Sequence, residues 1–231
     1  MRFGPDRRSS GTFADRAAAG SELARALERR RFPPPLIVLG LPRGGVAVAQ
    51  PVARALHAPL DVLVVRKVGM PGQPEFAIGA IATGGVVVHE GGIATPFGSK
   101  QRDSQAFVRA AAMEREELER REAVYRAGRP PLDLQGKTVI IVDDGLATGA
   151  TMVAAVRAAR KAGAGTIVAA APVASNEALE RLGAEADETV VLNVPEALFA
   201  IGEWYDRFEQ LSDAEVLRLL RLEHPAIERR E

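Results

Sequence analysis

Residues 139–151 read VIIVDDGLATGAT, an apolar run, two adjacent carboxylates and then a loop of small residues ending in threonine. Val139 to Val142 are β-branched without interruption, the composition of a strand buried on both faces. Asp143 and Asp144 follow at its carboxyl end, where open α/β sheets place their ligands. Gly145, Ala147, Thr148, Gly149, Ala150 and Thr151 then form a loop of little bulk, and Met152–Lys161 reads as a helix. Backbone N–H groups and hydroxyls at a helix N-terminus make an anion cradle. Paired carboxylates beside that cradle suit a polyol whose hydroxyls each need an acceptor, so a sugar phosphate fits both halves. A plain αβ crossover, with Gly and Thr turning the chain and capping a helix, is the competing reading. It leaves two carboxylates at the end of a buried strand without a partner.

Composition narrows the possibilities. The 231 residues are 47% hydrophobic, enough for one large or about one and a half small domains. Lys plus Arg and Asp plus Glu are equal at 30 each, so nothing suggests a polyanion-binding surface overall, local basic patches staying open, and no nucleic-acid partner is expected. With no cysteine, disulfides, thiol nucleophiles and Cys-ligated metals are excluded. The three histidines, His57, His89 and His224, are too scattered for a zinc site. No stretch has the length of a membrane span and no leader-like segment opens the chain, so the expectation is a cytoplasmic protein without membrane contact.

Outward from the acidic pair, buried strands alternate with helices, which predicts an α/β fold: a mostly parallel twisted sheet with helices on both faces. Residues 1–11 are polar and read as loose. Phe13, Ala17, Leu23 and Leu27 space a helix over Thr12–Arg31, stopped by Pro33-Pro34-Pro35. A strand Leu36–Leu41 breaks at Pro42-Arg43-Gly44-Gly45, and a helix runs Val46–Leu56. Asp61–Lys67 (DVLVVRK) reads as one strand. Phe76–Ala82 and Val86–His89 come next, with Gly84-Gly85 as a hairpin turn. Residues 90–101 connect to a long charged helix, Asp103–Ala127, with a thin apolar line of Phe107, Ala111 and Leu118. Beyond the opening motif come a strand Thr166–Val173, a helix near Asn176–Leu182 and a strand Glu188–Leu192. The tail ends in a helix Ser212–Leu222 with Ser212, Asp213 and Glu215 as capping residues. The whole chain, 1–231, reads as a single domain, its core at about 12–192 and its tail at about 193–231.

The segment 139–151 closely resembles the phosphoribosyl pyrophosphate (PRPP) loop of type I phosphoribosyltransferases. The resemblance implies that Asp143 and Asp144 hold the ribose hydroxyls and that Ala147, Thr148, Gly149, Ala150 and Thr151 bind the 5′-phosphate. Leu36–Gly45 (LIVLGLPRGG) then corresponds to the pyrophosphate loop, with Arg43, Gly44 and Gly45 as its ligands. Family members often carry a strained or cis peptide there. Arg66–Ile81 (RKVGMPGQPEFAIGAI) resembles the flexible catalytic loop, a β-hairpin in which Arg66 and Lys67 reach the pyrophosphate; strand-end charges on a plain hairpin are the alternative. Adenine enzymes place a glutamate of this loop region near the base, and the resemblance implies that role for Glu75, although the local alignment departs from their pattern. Ala147 stands where hypoxanthine and guanine enzymes carry an aspartate, and LATG at Leu146–Gly149 looks more like the adenine and uracil enzymes. Over the full chain the resemblance is to stand-alone phosphoribosyltransferases of unsettled acceptor, whose tails also look like LFAIGEWYDRFEQLSDAEV.

The resemblance implies transfer from PRPP to a small nitrogenous, nucleobase-like acceptor in nucleotide metabolism or salvage, with pyrophosphate released. Catalysis would fall to Arg43, Lys67, Glu75, Asp143 and Asp144. Mg2+ would be held mainly by PRPP and water oxygens, with Asp143 or Asp144 placed to join them. The family suggests a homodimer. Trp204, Tyr205, Phe208 and Phe199 either form a hood that stacks on the acceptor or pin the tail to the sheet. A non-catalytic PRPP- or nucleotide-sensing regulator on the same fold is the alternative. Neither Gly-rich loop reads G-x-G-x-x-G, and Ala150 stands where a Walker lysine would be, which disfavours dinucleotide enzymes and P-loop ATPases.

Overall fold

The computed structural model describes residues 11–70, 73–89 and 100–222. Among the described residues, eight strands and six α-helices occur in the order α1 (Arg16–Glu28), β1 (Leu36–Gly40), α2 (Gly44–Ala55), β2 (Leu60–Val62), β3 (Val65–Met70), β4 (Gln73–Ala82), β5 (Val86–His89), α3 (Lys100–Tyr125), β6 (Thr138–Val142), α4 (Ala150–Lys161), β7 (Thr166–Val173), α5 (Asn176–Leu182), β8 (Glu188–Asn193) and α6 (Asp213–Leu222). The main sheet is wholly parallel, in the order β2-β1-β6-β7-β8. A second, antiparallel sheet, β3-β4-β5, carries the hairpin. This is the α/β architecture that the alternation of the sequence predicts.

Period-two alternation divides the core between the two faces of the main sheet. Val38, Ile140, Val142, Val168 and Ala170 face a cluster built by Leu23 and Leu27 of α1, Val48 and Val52 of α2, Leu118 and Tyr125 of α3, and Val216 and Leu220 of α6. Ile37, Leu39, Val139, Ile141, Ile167 and Ala169 face the opposite cluster, with Met152 and Val156 of α4 and Ala178 and Leu182 of α5. Both faces are therefore covered, which is why these strands read as unbroken apolar runs.

Several boundaries differ from the sequence reading, each for a local reason. The helix expected over Thr12–Arg31 begins at Arg16, because Asp15 caps it by accepting the Ala18 N–H at 2.9 Å and Phe13 is drawn into a bridge with Tyr205. The helix expected from Val46 begins at Gly44, and the one expected from Met152 begins at Ala150, so both Gly-containing segments enter the first turn of a helix. The single strand expected over Asp61–Lys67 is two strands in different sheets. The Leu63 N–H still bonds to the Gly40 carbonyl (3.2 Å), but the Val64 N–H turns to Thr83 Oγ1 at 2.9 Å, and the chain passes to β4. Leu63 and Val64 are buried, so hydropathy does not betray the switch. At the hairpin, Gly84 and Gly85 both have positive φ (76° and 72°), the backbone that favours glycine at tight turns. In α3, Ala111 and Leu118 are buried as expected, while the side chain of Phe107 lies outside the described residues, as do residues 1–10 and most of the 90–101 connection. Ser212 and Glu215 cap α6 reciprocally: Glu215 N–H donates to Ser212 Oγ at 3.3 Å and Ser212 N–H to Glu215 Oε2 at 2.8 Å.

One buried polar knot secures the sheet edge. Asp61 in β2 accepts from Arg126 Nε (3.2 Å) and Nη2 (3.1 Å) and lies 3.5 Å from Arg129 Nη1. The two arginines also donate to the carbonyls of Pro130, Leu60 and Leu220, tying the end of α3 and α6 to the sheet. Burial draws the Arg129 guanidinium below its ordinary value, and the neighbouring charge of Asp61 opposes that shift. Asp61→Ala leaves two desolvated cations and is expected to lower unfolding free energy by about 3–5 kcal/mol, measured by equilibrium urea denaturation.

Candidate functional site

The two glycine-containing motifs, distant in sequence, meet because β1 and β6 are neighbours in register. Gly40 pairs with Val142, and the Leu41 N–H donates to the Val142 carbonyl at 2.9 Å. The chain beyond β1 therefore runs directly over the acidic pair beyond β6. The Pro42–Arg43 peptide is cis, and Gly44 and Gly45 open α2. A Cβ on Gly44 would fall 1.9 Å from Asp144 Oδ2, and one on Gly45 would fall 2.5 Å from the Val142 carbonyl oxygen. Close approach, rather than an unusual φ, is what requires glycine here.

Asp143 and Asp144 share the end of a buried strand but have different surroundings. Asp143 Oδ1 accepts the Asp144 N–H at 2.9 Å. Its carboxyl is held well above the usual carboxylate range, first by burial and then by the adjacent charge of Asp144. Asp144 has a cation. Arg16, the first residue of α1, donates from Nε to Asp144 Oδ2 at 2.8 Å, with 11% and 15% of the two side chains exposed. Arg16 Nη1 donates to the Glu209 carbonyl at 2.8 Å, and the guanidinium carbon stands 3.8 Å from the centre of the Phe208 ring. Tyr205 donates its hydroxyl to the Asp144 carbonyl at 2.5 Å, and burial pushes its phenol up, aided by Asp144.

Nothing in the sequence around Arg16 marks it as part of this site. The available signal is indirect: two neighbouring, half-buried carboxylates at the end of a buried strand call for a counter-charge from elsewhere in the chain. The tail aromatics are likewise resolved by position. Tyr205 stacks on Phe208 at 4.9 Å and tilts against Phe13 at 5.6 Å, with Trp204 packed on the same group. They pin the tail to the start of α1, whereas Phe199 is 87% exposed and stands apart.

The loop beyond the acidic pair is fixed from both sides. Gly145 packs under Ile201, where a Cβ would come within 2.5 Å of that side chain. Leu146 bridges to Ala174, and Ser175 Oγ donates to the Ala147 carbonyl at 2.5 Å while also capping α5. Ser175 is a loop-positioning residue that its sequence neighbourhood does not reveal. Ala147 and Thr148 are exposed, and Thr148 Oγ1 accepts the Ala150 N–H at 3.4 Å. Gly149, at φ 70°, caps α4, so Ala150 and Thr151 form the helix's first turn and direct its N-terminus to the same end of the sheet as Asp143.

The remaining candidates are spread more widely. Arg43 Nη1 lies 3.9 Å from Asp213 Oδ1, and Asp213 also accepts the Tyr125 hydroxyl at 2.5 Å. Burial, with that hydrogen bond, pushes the Tyr125 phenol up to about 12. Arg66 and Lys67 lie on β3, in the antiparallel sheet. Arg66 pairs with Glu114 of α3 (Nη2–Oε2 2.6 Å), and Lys67 is exposed. Glu75 is on β4, and its side chain lies outside the described residues. The structure thus gathers Arg43, Gly44, Gly45, Asp143, Asp144 and the 147–151 loop around two strand ends, with Arg66 and Lys67 on a separate element. Among the described residues, no three His, Cys, Asp or Glu side chains are grouped to hold a metal ion, and no helix is long and apolar enough to cross a membrane.

Comparison with known proteins agrees with this geometry. The family model described as phosphoribosyl transferase domain matches residues 14–203. A Mycobacterium tuberculosis (strain H37Rv) protein described as "Putative phosphoribosyl transferase Rv0571c" is 44% identical over 212 residues, 92% of this chain and 47% of its own. The chain therefore spans about half the length of the curated relatives it matches. A ribose-phosphate pyrophosphokinase of Methanopyrus kandleri is 47% identical over 62 residues, 26% of this chain and 21% of its own. Among solved structures, TT1426 from Thermus thermophilus superposes with a TM-score of 0.80 at 45% identity, covering 91% of this chain and 98% of that one. With a family model spanning most of the chain, and a core built from the two strand-end motifs that the sequence shares with type I enzymes, the protein belongs to the phosphoribosyltransferase family.

Proposed function

We propose that the protein transfers the 5-phosphoribosyl group of PRPP to a small nitrogenous, nucleobase-like acceptor and releases pyrophosphate, with Mg2+ as cofactor. The observation that carries this reading is the contact between Gly44 and Asp144: it sets an acidic pair, a Gly-rich turn and the N-terminus of α4 around one pair of strand ends. A short segment shared with a protein named for ribose phosphate and pyrophosphate supports the same donor.

Each group then has a task. Asp143 and Asp144 accept hydrogen bonds from the ribose hydroxyls, and Thr148, Thr151 and the first N–H groups of α4 receive the 5′-phosphate. Arg43, with the backbone of Gly44 and Gly45, neutralises the departing pyrophosphate. Lys67 and Arg66 join it when the hairpin closes, and Arg66 must exchange Glu114 for the ligand to do so. Glu75 is assigned to the acceptor side. Asp143 or Asp144 would join PRPP and water oxygens in holding Mg2+, which would supply charge neutralisation at the pyrophosphate. The acceptor nitrogen forms a bond to C1 as the C1–oxygen bond breaks. The bonding pair leaves with pyrophosphate, and the acceptor's proton passes to solvent. The chain contributes position and charge, not a nucleophile.

A PRPP- or nucleotide-sensing regulator is the second reading, favoured by the internal pairing of Asp144 with Arg16 and of Arg66 with Glu114. Nitrogenous acceptors tested with PRPP and Mg2+ separate the two: pyrophosphate release marks the enzyme, whereas binding without release marks the sensor. A cytoplasmic setting and a homodimer belong to this proposal as well, the latter tested by sedimentation.

A Mg2+-dependent thermal shift is the direct test of the donor. At a concentration one hundred times Kd, PRPP should stabilise the fold by about 2.7 kcal/mol, and Asp143→Asn/Asp144→Asn should abolish that gain. Unchanged PRPP affinity in the double variant would refute the assignment. Gly44→Ala drives a methyl into Asp144 and should weaken PRPP at least tenfold, read by calorimetry, with the 1.4 kcal/mol this represents at the low end of overpacking costs, about 1–3 kcal/mol.

A further inference from the structure

Arg16 stands at the junction of three parts of the site, and its surroundings are unusual for a residue opening a helix. The N-terminus of α1 carries partial positive charge, so a cation at its first residue is locally disfavoured and must be held by something else. It is held by Asp144 Oδ2 at 2.8 Å, the Glu209 carbonyl at 2.8 Å and the face of Phe208 at 3.8 Å, with the Tyr205 ring at 5.9 Å. The same ion pair bounds the Gly-rich turn, since a Cβ on Gly44 would meet both Asp144 Oδ2 and, at 3.0 Å, Arg16 Nε.

The backing is itself braced. Phe13 N–H donates to the Trp204 carbonyl at 2.8 Å, Asp206 N–H to the Phe13 carbonyl at 2.8 Å and Arg207 N–H to the Ala14 carbonyl at 3.1 Å. Asp15 pairs with Arg207 at 2.6 Å, and Thr12 Oγ1 donates to Asp206. Residues 12–16 and 204–209 thus form one strap across the carboxyl end of the sheet, and Arg16 and Tyr205 reach from it to Asp144.

We propose that Arg16 is a positioning residue of the donor site: it fixes the Asp144 carboxylate against the Gly-rich turn, with Phe208 and Glu209 of the tail holding its guanidinium in register. The proposal rests on the reading of the acidic pair as the ribose ligand. Asp144 Oδ2 is committed to Arg16, which leaves Oδ1 as the oxygen offered to the sugar. The tail on this account is a brace of the donor pocket, not a hood over the acceptor. An arginine is required because Nε and Nη1 serve two acceptors at once, which a lysine ammonium on a flexible stem does not reproduce.

The test compares wild type, Arg16→Ala and Arg16→Lys by calorimetric titration with PRPP, ribose 5-phosphate and inorganic pyrophosphate, all with Mg2+. A charge-assisted contact that orients the carboxylate predicts that Arg16→Ala weakens both ribose ligands about ten- to hundredfold. Pyrophosphate has no hydroxyls for Asp144 to accept from, so its affinity should stay within about twofold. Arg16→Lys should lie between, and it carries the comparison if Arg16→Ala does not fold. Unchanged PRPP and ribose 5-phosphate affinities in both variants overturn the proposal, as does an equal loss for all three ligands, which would mark Arg16 as a support of the fold. If wild type itself binds pyrophosphate but neither ribose ligand, the donor reading fails and the proposal falls with it.

Discussion

Two carboxylates side by side at the end of a buried strand are the constraint around which this molecule is organised. Water cannot solvate both well, and each raises the cost of ionising the other. The chain answers unevenly. Asp144 receives a guanidinium, while Asp143 takes a backbone N–H on its oxygen and sits well above the ordinary carboxylate range. The guanidinium must then come from somewhere, and it comes from the opening residue of α1, steadied by an aromatic face and a carbonyl of the tail. The first residue of the N-terminal helix, the strap of residues 204–209 and the glycine at position 44 all meet at this one acidic pair.

The parallel sheet supplies the other half of the arrangement. Adjacent parallel strands end at the same edge, so the segments leaving β1 and β6 must share space once Gly40 and Val142 are paired. That proximity is a property of topology and not of any attraction between the loops. It makes side-chain volume the limiting quantity at Gly44 and Gly45, and it gives each loop a helix N-terminus pointing to the common edge.

These two halves are unequally legible in the sequence. The buried strands, their helices and the acidic pair declare themselves locally, through β-branched runs, glycine turns and caps, because each is set by residues within a few positions of one another. The exchange between sheets at Leu63–Val64 is hidden, since a residue buried between two sheets looks the same as one buried in the middle of either. Arg16 is hidden for a different reason: its meaning depends on an ion pair across a sequence separation of 128 residues, and no local pattern encodes it. Ser175 and Tyr205 belong to the same class, a common capping serine and a common tail tyrosine whose roles come from the carbonyls of Ala147 and Asp144. The pairing of Arg66 with Glu114 likewise depends on how the hairpin lies on α3.

The strap also sets an order of assembly. Arg16 donates to a carbonyl 193 positions further along the chain, and Asp15 to Arg207 spans 192. As synthesis proceeds from the N-terminus, the central strands and the acidic pair emerge and can pair while Arg16 still lacks Phe208 and Glu209. The pocket's charge balance is therefore completed by Phe208 and Glu209, made long after its recognisable motifs. A nascent chain stalled before Tyr205 would carry the residues of every strand and both loops, yet lack both α6 and the backing that keeps the counter-charge of Asp144 in place.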